Sequence, residues 1–100
     1  MTVYIVARIT ISDRESYANY EQGFMPVFSL FEGTLLSVEE SPHILEGDWA
    51  CTRTVLIVFP DQDRALTWHN SQEYQAILPH RLKGAEADIA ILEGLPVLAA

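Results

Sequence analysis

The strongest constraint on the fold is the order in which two hydrophobic periodicities follow one another along the 100 residues. Apolar residues occupy every second position of Val3–Ile11, which predicts a first strand with one fully apolar face. From Tyr17 to Phe31 they recur at spacings of three and four, which predicts a helix whose aromatic stripe faces a sheet. Residues 34–40 and 51–59 are rich in β-formers and predict a second and a third strand, paired as a hairpin.

Local signals suggest where the first helix begins, bends and ends. Ser12 is expected to cap a helix that starts at Asp13. Pro26 removes an intrahelical hydrogen bond, so we expect a bend after Gly23, with Pro26 opening the second half. Gly33 is expected to supply the C-terminal stop.

A second helical region precedes the last strand. Asp61 can cap a helix that contains Trp68, and Ser71 starts a second short turn that Pro79 is expected to end. Residues 87–93 are expected to return as a fourth strand.

Strand, helix, strand, strand, helix, strand is the order of a ferredoxin-like α+β fold, with a four-stranded antiparallel sheet and the helices on one of its faces. We expect residues 1–100 to form one such domain. The sheet face away from the helices is too apolar for water and too polar for a monomer core, since it carries Tyr4, Val6, Arg8, Thr10, Thr52, Thr54, Leu56 and Val58.

A second copy is therefore expected to cover this face, so that two sheets form a homodimeric α/β barrel. The apolar tail 97–100 could add contacts across that interface. A monomer with a half-wet sheet is the alternative.

Charge and composition exclude several classes of partner. Six Lys and Arg against fourteen Asp and Glu give a net charge of −8, which argues against nucleic acid and acidic membranes as partners. An anionic substrate would need a local arginine.

Cys51 is the only cysteine, which indicates no internal disulfide and a cytoplasmic location. Residues 3–11 are too short for a membrane span. We expect no metal site and no cofactor, because ligand spacings and glycine-rich phosphate loops are absent from the sequence.

Two residues are the first candidates for a ligand pocket. Arg53 would be buried on the helix side of strand three, so it needs a carboxylate or a ligand, and Glu46 is the expected carboxylate. A structural ion pair and an anchor for a ligand carboxylate are equally open. Trp68 should face the sheet, where core packing is the default explanation.

Further candidates have competing structural roles. His69 could act as a general base or lie on a solvated rim, as His80 is expected to do just before Arg81. Tyr20 and Tyr74 could place phenols in a cavity or fill the core. The connection 41–50, which carries Glu46 and Trp49, shapes a site or forms an exposed flap.

With these residues the chain resembles the domain of unknown function family 1330, small bacterial proteins of the dimeric α/β-barrel superfamily. The pieces Glu46-Gly47 and Trp68-x-x-Ser71-x-Glu73-Tyr74 are the most specific. The resemblance covers nearly the whole chain and also rests on Tyr4, Tyr17, Tyr20, Gly33, Leu45, Asp48, Trp49, Arg53, Phe59, Pro60, Ala65, Gln72, Gln75, Arg81, Glu93 and Gly94. Glu32 and His69 depart from the family pattern.

The resemblance implies the fold and the dimer but no established reaction. Superfamily relatives include cofactor-free monooxygenases acting on aromatic polyketides, lactone isomerases and stress-responsive proteins, and a shared fold does not choose among them. The leading hypothesis is a homodimeric domain that binds a small organic molecule between helices and sheet, with an oxygenase- or isomerase-type enzyme left open. The rival hypothesis is a non-catalytic dimerisation or stress-associated protein with no small-molecule substrate.

Overall fold

The computed structural model describes residues 1–96, so the expected contribution of the tail 97–100 lies outside the described residues. This part of the chain forms four strands and three helices. In chain order they are β1 Val3–Ile11, α1 Arg14–Phe28, β2 Thr34–Glu39, β3 Arg53–Phe59, α2 Gln62–His69, α3 Gln72–Gly84 and β4 Ala85–Glu93.

The four strands form one antiparallel sheet in the order β2-β3-β1-β4. The fold is therefore the predicted ferredoxin-like α+β arrangement, and β2 and β3 pair as expected. The helical part between β3 and β4 is divided into α2 and α3 at Asn70, which caps α2.

The core lies between the helices and one face of the sheet. Val3 and Ile5 of β1 are buried and stand opposite Phe59 and Ile57 of β3, so the predicted aliphatic face is confirmed. Aromatic rings of the helices cover it, with Phe28 edge-on to Phe59 at 5.9 Å between ring centroids. Burial of these large side chains supplies the main driving force for packing the helices on the sheet.

The ends of α1 differ from the prediction. Asp13, rather than Ser12, is the N-cap, because a carboxylate at the positive end of a helix accepts hydrogen bonds from the free backbone N–H groups. The helix ends at Phe28 with Ser29 as its cap, so Gly33 does not stop it. At Gly33 a β-carbon would lie 2.5 Å from Cζ of Phe59, and glycine is needed there for close packing.

Two of the five prolines, Pro26 and Pro79, lie within helices. Pro26 is in the last turn of α1, and α1 continues through it to Phe28 as one element. Pro79 is inside α3, which runs on to Gly84, so the prediction that Pro79 ends the helix is wrong. A helical proline costs about 3 kcal/mol, and the packing of α3 along α1 offsets this cost. As a consequence Arg81, expected after the helix, is part of α3 and is buried.

Gly84 joins the end of α3 to the start of α1. Its carbonyl oxygen accepts hydrogen bonds from the backbone N–H groups of Ser12 at 2.8 Å and Asp13 at 3.0 Å. A β-carbon on Gly84 would lie 2.7 Å from the backbone nitrogen of Tyr17. Backbone atoms cannot move aside as a flexible side chain can, so a larger residue at this position forces α3 and the start of α1 apart.

We predict that Gly84→Ala lowers the free energy of unfolding by about 1–3 kcal/mol, the usual cost of overpacking. Urea denaturation of the purified variant measures it. Lys83→Ala, one residue earlier and exposed, is the control and should leave stability nearly unchanged. If Gly84→Ala is as stable as Lys83→Ala, the close approach of α3 to the start of α1 does not require glycine, and the prediction is wrong.

Candidate functional site

A cavity of about 170 Å³ lies between the helices and the core face of the sheet. One water molecule needs roughly 10–15 Å³ on this measure, so the cavity has room for a small organic molecule. Its floor consists of sheet residues such as Ile5, Ala7, Val55 and Ile57. Its walls carry aromatic and polar groups of the helices and of β3, namely Tyr17, Tyr20, Glu21, Phe24, Arg53, Trp68, His69, Tyr74 and Arg81.

The structure brings six of the eight candidate residues together around this cavity: Tyr20, Arg53, Trp68, His69, Tyr74 and Arg81. Glu46 and Trp49 do not join them, since both are exposed on the connection between β2 and β3. The Trp49 indole N–H donates to Oγ1 of Thr54 at 2.8 Å, and its ring lies 5.1 Å from the Arg8 guanidinium. This connection therefore packs against the other face of the sheet.

Arg53 is held in an ion-pair network at the edge of the cavity. Its side chain is 16% exposed and pairs with Glu40 at 2.8 Å and Glu21 at 3.3 Å. The expected partnership with Glu46 is wrong, because Glu40, directly after β2, lies closer to β3. Arg14 of α1 also binds Glu40, at 2.7 Å. Arg53 was expected to form either a structural ion pair or an anchor for a ligand carboxylate, and the structure shows the ion pair.

The two arginines bound to Glu40 change its acidity. Hydrogen bonds from Arg14 and then from Arg53 lower the pKa of the Glu40 carboxyl from 4.5 to about 2. Glu40 therefore stays ionised well below the usual range for a glutamate.

Sequence reasoning missed both partners of Arg53. Glu21 follows Tyr17 by four residues and precedes Phe24 by three, so helical spacing alone puts it on the same face of α1 as these rings. That signal was available. For Glu40 no comparable signal exists, because its distance from Arg53 depends on how β2 pairs with β3.

Arg81 is the second arginine of the cavity and its environment is different. It is 6% exposed, and its guanidinium lies 5.8 Å from the centre of the Tyr20 ring. Within residues 1–96 it has no carboxylate partner, and its Nε has no hydrogen-bond acceptor. The charge of Arg81 is thus buried without the compensation that Arg53 receives.

Trp68 belongs to both the core and the cavity wall. It is 3% exposed, stacks on Phe59 at 5.7 Å between centroids, and lies 4.6 Å from the Tyr74 ring. The expected core packing is confirmed. Its indole N–H nevertheless finds no acceptor among the described residues.

Tyr20 and Tyr74 form a hydrogen-bonded pair across the helices, with their hydroxyl oxygens 2.8 Å apart. Burial, and then the neighbouring Tyr74, raise the pKa of Tyr20 far above its ordinary value, so this phenol stays protonated.

His69 is half-buried and its ring lies 5.3 Å from that of Tyr74. His80 is exposed, as expected.

Two searches of the described residues bear on other kinds of site. In residues 1–96 no group of three His, Cys, Asp or Glu side chains is placed to hold a metal ion. None of the three helices is both long enough and apolar enough to cross a membrane.

Fold and cavity together define a ferredoxin-like α+β domain with a partly open, aromatic-walled pocket. Residues 2–95 match the family described as domain of unknown function (DUF1330), and the chain belongs to that family, as its motifs predict. Among curated proteins none matches the sequence.

Several solved structures share the fold. A protein of unknown function from Rhodopseudomonas palustris superposes with a TM-score of 0.74 at 15% identity, over 96% of this chain and 84% of its own. SnoaB, a cofactor-independent oxygenase from Streptomyces nogalater, gives 0.64 at 14% identity, over 99% and 98% of the two chains. A dimeric ferredoxin-like protein of unknown function from Jannaschia sp. CCS1 gives 0.68 at 10%, over 94% and 100%. At these identities the likeness is one of fold.

The Glu40 network leads to a prediction on pH dependence. Glu40→Gln should be less stable than the wild type at neutral pH, because a carboxylate with a lowered pKa stabilises the folded state above its unfolded pKa of 4.5. That contribution is lost as pH falls toward about 2, so the two proteins should converge. Urea denaturation at a series of pH values measures the difference. Glu46→Gln is the control outside the network, and a difference independent of pH for Glu40→Gln would contradict the prediction.

Proposed function

We propose that this chain is a homodimeric domain that binds a small organic molecule in the cavity between its helices and its sheet. The observation that carries the proposal is a set of three buried nitrogen donors without acceptors in the described part of the chain: Nε of Arg53, Nε1 of Trp68 and Nε of Arg81. All three residues line the cavity. These three atoms have almost no accessible surface, so a molecule in the cavity reaches them only when neighbouring side chains shift, and pairing one of them would recover about 1–3 kcal/mol.

The remaining lining supports the same proposal. Binding sites for small molecules are concave, mostly apolar and carry a few convergent polar groups. Here the sheet supplies an aliphatic floor and α1, α2 and α3 supply aromatic walls. This combination suits a compact ligand with an apolar body and at least one polar end.

The reaction is a separate question from binding. SnoaB supports an oxygenase hypothesis through the fold alone, and one fold hosts many chemistries. His69 and the Tyr20–Tyr74 pair are the neutral polar groups near the cavity that can form hydrogen bonds with a ligand. We therefore propose binding and assign no reaction. The alternative, a non-catalytic dimerisation or stress-associated protein, shares the fold but requires no ligand.

Filling the cavity provides the test. Ala7 is buried in the floor of the cavity, and Ala7→Leu should place the added carbon atoms in empty space. We expect stability equal to or above that of the wild type, together with loss of binding of the single-ring probes benzyl alcohol and benzoate. Chemical denaturation measures the first quantity, and two-dimensional NMR titration of the amides around the cavity measures the second.

Ala65→Leu is the matched control. Ala65 is also a buried alanine, but it does not line the cavity. Overpacking at this position should cost about 1–3 kcal/mol. If Ala7→Leu destabilises the protein as much as Ala65→Leu does, the floor of the cavity has no free volume. If neither probe binds the wild type at millimolar concentration, the binding proposal fails.

The dimer part of the proposal rests on the sheet face away from the cavity, which we call the open sheet face. Its centre is apolar, and in register Val58 and Leu92 flank Tyr4, while Leu56 and Ala90 flank Val6. None of these residues belongs to the buried core, and Leu92 is 51% exposed. An apolar patch on a sheet favours burial against an identical patch. The dimeric Jannaschia protein with the same fold supports this arrangement.

We predict that the wild type is a dimer burying at least roughly 1,000 Å² in total, and that Leu92→Glu dissociates it. The two-fold axis places a glutamate from each copy in the same interface, where both carboxylates lose their hydration and repel each other. Light scattering coupled to size exclusion measures the mass. Leu82→Glu, at a leucine of α3 that is 64% exposed, is the control and should remain dimeric. A wild type that is monomeric at high micromolar concentration in moderate salt would contradict the dimer proposal.

A further inference from the structure

We infer that the molecule bound in the cavity is an organic monoanion, of the class of single-ring aromatic carboxylates, and that Arg81 holds its carboxylate. This inference rests on the proposed binding function and adds to it the chemical class of the ligand and the residue that selects it. Four observations on the charges and rings around the cavity carry it.

The first observation is the state of Arg81. Arg81 is 6% exposed, its guanidinium lies 5.8 Å from the centre of the Tyr20 ring, and its side chain lines the cavity. Across residues 1–96 no carboxylate lies within ion-pair distance of it. The contact with the Tyr20 ring offsets part of the desolvation cost, but a ring face accepts none of the planar N–H donors. A carboxylate would satisfy both the charge and the donors.

The second observation is the contrast with Arg53. Arg53 has the same chemical capacity, but Glu40 at 2.8 Å and Glu21 at 3.3 Å already neutralise it. A ligand carboxylate placed at Arg53 would meet the negative charge of these two glutamates. Arg81 is therefore the arginine left for a ligand.

The third observation concerns the remaining ionisable groups that line the cavity. They are the phenols of Tyr17, Tyr20 and Tyr74, the imidazole of His69 and the carboxylate of Glu21, which is engaged by Arg53. Burial raises the pKa of both Tyr17 and Tyr20, so these phenols are neutral. One uncompensated positive charge is left, in a chain whose net charge is −8. It matches a single negative charge rather than a phosphate dianion or a nucleotide.

The fourth observation is the kind of surface next to Arg81. Tyr20 contacts Arg81 and is hydrogen-bonded to Tyr74, whose ring lies 4.6 Å from Trp68. Phe24 continues this wall at 6.1 Å from Trp68. Rings arranged edge-on and tilted favour an aromatic body. An aliphatic acid as small as acetate would leave this wall uncovered.

The experiment compares isosteric probes on the full chain in a chloride-free buffer, because chloride could occupy the guanidinium. Benzoate carries both ring and charge, benzamide and benzyl alcohol carry the ring alone, and acetate carries the charge alone. We expect benzoate to bind the wild type roughly ten- to a hundred-fold more tightly than benzamide, the difference that one charge-assisted hydrogen bond makes. Acetate should bind more weakly than benzoate. In NMR spectra benzoate, but not benzamide, should shift the Nε–H resonance of Arg81.

Variants assign the selectivity to a residue. Arg81→Met should remove the preference for benzoate, leave the affinity for benzamide within about two-fold, and fold at least as well as the wild type, since an unpaired buried charge is replaced by an apolar chain. Arg53→Met should keep the preference for benzoate. Arg64→Met is the control for net charge, because Arg64 is exposed and pairs with Glu32 and Asp61 away from the cavity.

Each contrary result has a distinct meaning. Benzamide binding the wild type as tightly as benzoate would overturn the anion inference while leaving the cavity as a binding site. Loss of the preference in Arg53→Met but not in Arg81→Met would overturn the assignment to Arg81. Binding of no aromatic probe would overturn the proposed function itself. If Arg81→Met does not fold, the Nε–H shift of Arg81 in the wild type decides, and its absence on saturation with benzoate overturns the inference.

Discussion

The packing of Trp68 against Phe59, Phe28 and Tyr74 is the contact on which the rest of the structure depends. It fastens α2 and α3 to β3 and, through Phe28, to α1, so one side chain connects all three helices to the sheet. Large rigid rings bury much apolar surface, but they do not fill the space above the small side chain of Ala7, which lines the cavity. The same cluster therefore stabilises the core and forms the wall of the cavity.

Two arginines on this wall show how environment separates chemically identical groups. Arg53 lies at the edge, within reach of Glu40 and Glu21, and its charge is balanced by the protein. Arg81 lies deeper, because α3 continues through Pro79 and presses against α1, and no carboxylate reaches it within the described chain. A charge balanced by the protein serves stability, whereas an unbalanced charge in a cavity favours binding of an opposite one.

The sequence by itself determined the element order, the aliphatic face of β1, and the sides of their elements on which Tyr20, Arg53 and Trp68 lie. These follow from periodicity, which depends only on local geometry: side chains alternate along a strand and recur at spacings of three and four on a helix. Motif spacing was also sufficient for the family, since residues 2–95 match it. Periodicity did not predict the ends of the helices. Pro79 and Gly33 were expected to end them, as these residue types often do in isolated segments, but neither does so here.

Only the tertiary structure decided which charges meet. Glu40 rather than Glu46 pairs with Arg53 because strand pairing brings the end of β2 beside β3, and register is a property of two segments together. Arg81 became a buried residue because packing along α1 offset the cost of a proline within α3. Trp49 was excluded from the cavity because its segment turned to the other face of the sheet. Periodicity sets the face on which a side chain lies, but the partner that it meets depends on long-range packing, which no local pattern encodes.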